Sequence, residues 1–276
     1  MHLDWSVQKV VDMKIGFVGA GKMAEAILSS LLDSGVCKAV DITASDISPD
    51  RCAALEGLYG VCVTSENRNV VEASDVVVLA VKPQELDGVL AGLASCAAGK
   101  LVISIAAGKP LAYFASKLPG ARLVRVMPNL ACQVGEGMSV FCGANDATAE
   151  DLERVDRIFG ASGRALQLDE SLFDVVTALS GSGPAFFAFA LDALVQGAVA
   201  EGMPPATAAL LAGQTMLGTA KVLLERGLSA EVFMSQVASK GGTTAAGLAV
   251  LNDGSVKADM AAAIAAASGR SRELSA

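Results

Sequence analysis

The sequence predicts an α/β domain built on a mostly parallel sheet, followed by an all-α domain. Three observations carry this expectation. Short apolar runs alternate with amphipathic stretches up to Leu168, at the spacing that parallel βαβ units produce. A glycine pattern closes the first apolar run and opens the first amphipathic stretch. Beyond Leu168 the β-pattern stops, and alanine-rich helical segments run to the end of the chain.

The expected strands are 14–18, 40–44, 61–63, 76–80, 101–105, 122–126, 138–142 and 164–168. A helix over 23–32 closes at Asp33-Ser34-Gly35, where glycine suits the left-handed residue that follows a helix. Ser48-Pro49 reads as an N-cap with proline at the first helical position. Six further helices are expected at 170–178, 184–201, 205–226, 230–238, 243–251 and 256–270. Their breaks fall at Gly181/Gly183, Gly202-Met203-Pro204, Gly227 and Gly241-Gly242. The first domain is therefore placed at 1–168, with 1–12 as a leader, and the second at 169–276.

Composition narrows the function classes. With 276 residues, 53% hydrophobic and 18% charged, the chain is globular and large enough for two cores. Mean hydropathy is high at +0.50. The apolar run 184–191 stops at Asp192, short of the ~20 residues of a membrane span. The excess apolarity is expected to be buried helix, including surface between subunits. A net charge of −8 and the lack of a basic run argue against nucleic acid. Cys37, Cys52, Cys62, Cys96, Cys132 and Cys142 form no C-x-x-C pair and read as reduced thiols of a cytoplasmic enzyme. The single histidine, His2, precedes the first strand, so no histidine metal site is expected, nor a metal of any kind. Residues 1–12 lack the apolar core of a signal peptide, and Met13 is an alternative start.

The glycine pattern is Gly19-x-Gly21-x-x-Ala24, directly after a strand and at the head of a helix. In that context it is a dinucleotide-binding turn of Rossmann type. Gly19 permits the tight turn, Gly21 admits the pyrophosphate, and Ala24 keeps the helix close to the sheet. Ala20, Lys22 and Met23 complete the segment. Asp46 follows the second strand, where a carboxylate can accept from the adenine ribose 2′-OH. It leans the reading toward NADH. Ser45, Ser48 and Arg51 lie close by and leave a 2′-phosphate possible in sequence terms, so NADH or NADPH stays open. Ala80-Val81-Lys82-Pro83 and Ile105-Ala106-Ala107 end two later strands with small residues that leave room for nicotinamide and its ribose. In the helical half, Gly241-Gly242 before a helix leaves free N–H groups, a nest for a carboxylate. Thr243-Thr244 reads both as a cap and as a source of hydroxyl donors.

These motifs together resemble the pyrroline-5-carboxylate reductase family over nearly the whole chain from Met13. The resemblance rests on Phe17-Val18-Gly19-Ala20-Gly21-Lys22-Met23, Val81-Lys82-Pro83-Gln84 and Ser104-Ile105-Ala106-Ala107-Gly108. It continues through Arg125-Val126-Met127-Pro128-Asn129, Leu179-Ser180-Gly181-Ser182-Gly183-Pro184-Ala185 and Gly241-Gly242-Thr243-Thr244. It implies NAD(P)H-dependent reduction of a cyclic imine carboxylate to L-proline, in a homodimer formed by the C-terminal helices or in a larger assembly of such dimers. It implies Thr244 as the hydrogen-bond donor to the imine. It also implies a substrate set of Glu170, Ser180, Ser239, Gly241, Gly242, Thr243 and Thr244, and adds Asn67 to the cofactor set. Gly242–Thr244 of one chain would face the nicotinamide held by the other.

Three departures from the family pattern lie near this region: Leu130-Ala131-Cys132 after Met-Pro-Asn, Lys240 in place of proline, and Met234-Ser235 in place of a Lys-Asp pair. Lys240 keeps a second reading open, a related imine or 3-hydroxyacid oxidoreductase with lysine as acid and base. A third is a nicotinamide-binding paralogue without turnover.

Overall fold

A computed structural model describes residues 13–275; the leader read at 1–12, with His2 and the question of the start codon, lies outside them. The first part alternates as the sequence predicts: β1 (Ile15–Val18), α1 (Lys22–Asp33), β2 (Ile42–Ser45), α2 (Pro49–Tyr59), β3 (Cys62–Thr64), α3 (Asn67–Ala73), β4 (Val76–Leu79), α4 (Leu86–Leu93), β5 (Leu101–Ser104), α5 (Leu111–Lys117), β6 (Arg122–Met127), β7 (Gly137–Gly143), α6 (Ala149–Gly160) and β8 (Gly163–Gln167). The strands form one sheet in the order β3-β2-β1-β4-β5-β6-β7-β8. The first six are mutually parallel, in the order 3-2-1-4-5-6 of a doubly wound dinucleotide fold.

β7 runs antiparallel to β6. The connection, residues 128–136, holds only a short 3₁₀ segment, Leu130–Val134. A parallel return needs a crossover of a dozen residues or more, so this link can only send the strand back the other way. After α6 the chain returns as β8, parallel to β7.

Alternation along the buried strands divides the core between two faces. Ile15, Phe17, Val76, Val78, Leu101, Ile103, Val124 and Val126 meet Ile27, Leu28 and Leu31 of α1 and Val155, Ile158 and Phe159 of α6. Val18, Val77, Leu79, Val102 and Leu123 meet α3, α4 and α5 on the other face. Burying a large aliphatic or aromatic side chain contributes roughly 1.5–3 kcal/mol, so both faces favour this sheet strongly.

One charged pair binds β6 to α6. Thr148 and Asp151 form a capping box at the start of α6, and Arg122 donates to the same carboxylate from Nε at 2.7 Å and Nη2 at 3.2 Å. Burial alone would raise the Asp151 carboxyl, but the Arg122 guanidinium and the Thr148 N–H and hydroxyl outweigh it and hold the group below its ordinary value. A depressed carboxylate stabilises the fold above its unfolded value, about 3.9, and that contribution disappears as pH falls through the folded value. Melting temperature should therefore drop on acidification below about pH 4, and Asp151→Asn should flatten that dependence. Arg122 is partly exposed, so Arg122→Ala should destabilise by only about 1–3 kcal/mol, read by urea unfolding at neutral pH.

Beyond β8 come α7 (Phe173–Val176), a π-helical turn at Thr177–Gly181, α8 (Gly183–Ala200), α9 (Pro205–Arg226), α10 (Ala230–Val237), α11 (Thr243–Asp253) and α12 (Val256–Ser275). The chain makes two compact units. One continues as far as Gly181 and takes the chain back from Ala267; the other is Ser182–Ala266. In the first unit, Ser271 Oγ donates to Asp174 Oδ1 at 2.6 Å. Ser268 and Ser271 are buried, and Leu274 packs on Gly108.

In the second unit α8 packs on α9. Among its described residues Ala208 is the only buried hydrophobic side chain. Phe187 is 62% exposed, Phe189 73%, Leu210 70% and Val250 73%. Two helical runs, Glu170–Ala200 and Pro205–Arg226, are long and apolar enough to cross a membrane by length and composition, each with 6% of its most apolar window buried. The sequence expectation concerns the uncharged stretch 184–191 alone; the helix that holds it continues through Asp192 without losing its apolar character.

Candidate active site

The sheet order places the carboxyl ends of β3, β2, β1, β4 and β5 side by side. The turn after β1 is wedged among them. Gly19 N–H donates to the Ser45 carbonyl at 2.9 Å, and Ala80 N–H donates to the Val18 carbonyl at 2.8 Å. Gly19 has φ +96°, and a Cβ there would lie 2.9 Å from the Ala80 carbonyl carbon and oxygen. Left-handed backbone costs a residue with a Cβ about 1–2 kcal/mol, and the clash is with main chain that cannot swing aside. Gly19→Ala should therefore lower the melting temperature and remove dinucleotide binding, both measurable on the purified protein.

Gly21 is the N-cap of α1 and carries no side-chain cap; a Cβ there would meet nothing within 4 Å. The first-turn N–H groups of a twelve-residue helix thus face open space, and a pyrophosphate fits that cradle. Ala24, at the third position of the pattern, is buried in the core. Lys22 is exposed and Met23 partly buried.

A ring of polar contacts surrounds Ala20. Asp46 Oδ2 accepts from Ala20 N–H at 2.8 Å, and Asp46 Oδ1 accepts from Ser48 N–H at 2.9 Å. Arg51 donates to the Ala20 carbonyl from Nε at 3.0 Å and Nη2 at 2.6 Å. The same Nη2 pairs with Glu25 Oε2 at 2.8 Å, and Tyr59 Oη donates to Glu25 Oε1 at 3.3 Å. Ser45 Oγ donates to Asn67 Oδ1 at 2.7 Å, joining the ends of β2 and α3. Ile47 stands 90% exposed beside Asp46. Ala80, Val81, Lys82 and Pro83 follow β4, and Ile105, Ala106 and Ala107 follow β5, on the same edge; Lys82 is exposed. The first unit thus brings together every cofactor-side residue named from the sequence.

Glu170 has a different setting. Its Oε1 accepts from Leu111 N–H at 2.7 Å, at the start of α5, and from Arg125 Nη1 at 3.1 Å. Arg125 is buried, with its guanidinium 4.7 Å from the Phe173 ring centre. Glu170 therefore acts as a strut between α5, β6 and the segment leading into α7. Ser180 lies in the π-helical turn, with its hydroxyl buried and without a partner among the described residues. Single π turns recur at functional sites. Burial first, with Glu170 adding to it, pushes the Cys142 thiol up to about 12, and burial pushes Cys37 up to about 11, so neither is a ready nucleophile.

The second unit carries the Gly-Gly-Thr-Thr segment. Gly241 has φ +72°, and Gly242 N–H donates to the Ser239 carbonyl at 3.0 Å. A Cβ on Gly242 would collide with Ser239 Oγ. Gly242 is the N-cap of α11 and has no side-chain cap, so the N–H groups of Thr243 and Thr244 open the helix uncapped. Thr244 is half-buried, whereas Thr243 and Lys240 are exposed. Sequence reasoning missed Glu25, Tyr59 and Arg125. Glu25 sits one residue beyond the glycine pattern, but its partners come from α2, and spacing along the chain does not reveal that.

The helical part matches the family model described as pyrroline-5-carboxylate reductase dimerisation over residues 170–274. Residues 14–108 match the model described as NADP oxidoreductase coenzyme F420-dependent. A pyrroline-5-carboxylate reductase of Methanosarcina acetivorans is 44% identical over 265 residues, covering 95% of this chain and 98% of the relative. The chain belongs to the pyrroline-5-carboxylate reductase family. The pyrroline-5-carboxylate reductase structure from Coxiella burnetii superposes with a TM-score of 0.92 at 32% identity, covering 96% of this chain and 99% of that one. The Plasmodium falciparum pyrroline carboxylate reductase, solved with NADP bound, gives a TM-score of 0.86 at 27% identity, covering 96% and 99%. The sheet and the helical region of this chain are thus those of pyrroline-5-carboxylate reductases.

Proposed function

We infer that this chain reduces 1-pyrroline-5-carboxylate to L-proline, the last step of proline synthesis, with NADH or NADPH. The observation that carries the reading is an uncapped α1 N-terminus behind Gly19 and Gly21, in a chain that matches pyrroline-5-carboxylate reductases along nearly its whole length. Bound there, the nicotinamide cofactor supplies the hydride for the C=N carbon. The residues that would hold it are Gly19–Ala24, Asp46, Asn67, Ala80–Pro83 and Ile105–Ala107.

The chain's own residues supply position and charge. The uncapped N–H groups of Thr243 and Thr244, beyond the Gly241-Gly242 turn, suit the substrate carboxylate. The Thr244 hydroxyl donates to the imine nitrogen as electron density collects there. Ser239 shapes the turn, and Ser180 offers a buried hydroxyl that has no partner among the described residues. Lys240, exposed at its turn, is read as solvated and is given no proton to move. Most of the acceleration then comes from orientation and electrostatic stabilisation.

The assembly is a homodimer through the helical unit, with Gly242–Thr244 of one protomer serving the dinucleotide of its partner. The apolar side chains left exposed on α8, α9 and α11 support it. The activity is tested by loss of NADH or NADPH absorbance with 1-pyrroline-5-carboxylate, run against other cyclic imines. Oxidation with this substrate well above the others is expected. Absence of turnover, or preference for an imine lacking the carboxylate, overturns the reading.

A further inference from the structure

We propose that Glu25 sets the choice between the two dinucleotides, by holding Arg51 on the glycine turn and away from a ribose 2′-phosphate. The proposal rests on the reading of Gly19–Ala24 as the dinucleotide turn. In folds of this kind the residues just after the second strand face the adenine ribose, and a 2′-phosphate is accommodated where an arginine can reach it. Here Arg51 is the arginine in that position, but its Nε and Nη2 are directed at the Ala20 carbonyl and at Glu25. Tyr59 fixes the carboxylate from the far end of α2. Asp46 holds the N–H of the same residue, so both main-chain polar groups of Ala20 are clamped by the segment after β2.

The consequence is electrostatic. A phosphate monoester carries about two negative charges at neutral pH. At this ribose it would face the Asp46 carboxylate and an arginine already neutralised by Glu25. A ribose 2′-OH, which Asp46 can accept from, meets no such penalty. Arg51 and Glu25 are one-third and one-quarter exposed, so the latch is of moderate strength and can be unfastened by a single change.

The test is calorimetric titration of the purified full chain with NAD+ and with NADP+. Glu25→Gln keeps the shape of the side chain and removes its charge. The ratio of NADP+ to NAD+ affinity should rise about three- to fivefold, the range set by an ion pair of about 1 kcal/mol. Glu25→Ala should move it in the same direction. In an Arg51→Ala background Glu25→Gln should leave the ratio unchanged, because there is no arginine left to release. An unchanged ratio in the Glu25 variants, or an equal rise with and without Arg51, overturns the latch while leaving the dinucleotide turn in place. A parent protein that binds neither dinucleotide overturns the turn itself, and the latch with it.

Discussion

Phe189→Asp is expected to break the proposed homodimer into monomers without reductase activity. In the single chain Phe187 and Phe189 are both mostly exposed, two residues apart on α8. They therefore point to different sides of the helix, and both sides are apolar. A helix that is apolar nearly all round is stable only when it is covered nearly all round. Leu210, Leu217 and Leu224 on α9 repeat the pattern at seven-residue spacing. Each such side chain contributes roughly 1.5–3 kcal/mol when buried, so an interface of this composition is an obligate one, of the class that buries more than about 2,000 Å². A carboxylate placed in it would have to be desolvated without a partner. On an ordinary solvated face the same substitution would change stability by no more than about 0.5 kcal/mol. Sedimentation velocity and turnover, measured on the same samples, check the prediction. A folded and active parent monomer at micromolar concentration would sink it. A parent protein that sediments with phospholipid vesicles would assign these helices to a membrane instead.

Thr244→Ala should lower kcat by about a hundredfold while dinucleotide affinity stays within twofold. A single preorganised donor to a developing charge typically contributes ~2.7–4 kcal/mol in a water-excluded site. Thr244 is half-buried at the second position of α11, beyond an uncapped Gly242. The loss will be at the low end of that range if the imine enters already protonated, and it should then deepen as pH rises. Thr244→Ser restores the hydroxyl and should recover most of the rate. Stopped-flow turnover of the three proteins, with calorimetric dinucleotide binding alongside, separates a lost donor from a displaced helix. Unaltered turnover in the alanine variant would remove Thr244 from the chemistry.

The strands and most helices were legible because their signals are local. Ser48-Pro49 reads as a helix start, and Ser48 Oγ does accept from Arg51 N–H. Gly35 reads as a helix end and has φ +68°. The strand ends that gather around the glycine turn were legible for the same reason, since Gly19-Ala20-Gly21 marks where the first of them stops. What stayed hidden depends on pairs distant in sequence. Arg125 looks like a polar residue on an outward strand position, yet it lies buried between Glu170 and Phe173. Glu170, which the resemblance implies as a substrate residue, is held by the Leu111 N–H at the start of α5, a partner 59 residues away that spacing does not reveal. The clamp on Ala20 combines residues from α1, β2 and α2, and no periodicity predicts it. The two long apolar helices were legible at 184–201 and 205–226, because a helix carries a single charge such as Asp192 without ending.

The return of the chain at Ala267 sets the order in which the molecule can be finished during synthesis. The whole sheet and α7 leave the ribosome first, but Asp174 and Gly108 stay uncovered until the segment from Ala267 onward has followed the helical unit out. The excursion is long, yet closure entropy grows only with the logarithm of length, so the rejoining step is little harder than that of a short loop. Its cost is time: the first unit waits, nearly complete, while four apolar helices emerge beside it in search of cover. Final locking of the dinucleotide unit therefore waits for the chain beyond Ala267, and a polypeptide cut there would keep its sheet but lack about the last two and a half turns of α12.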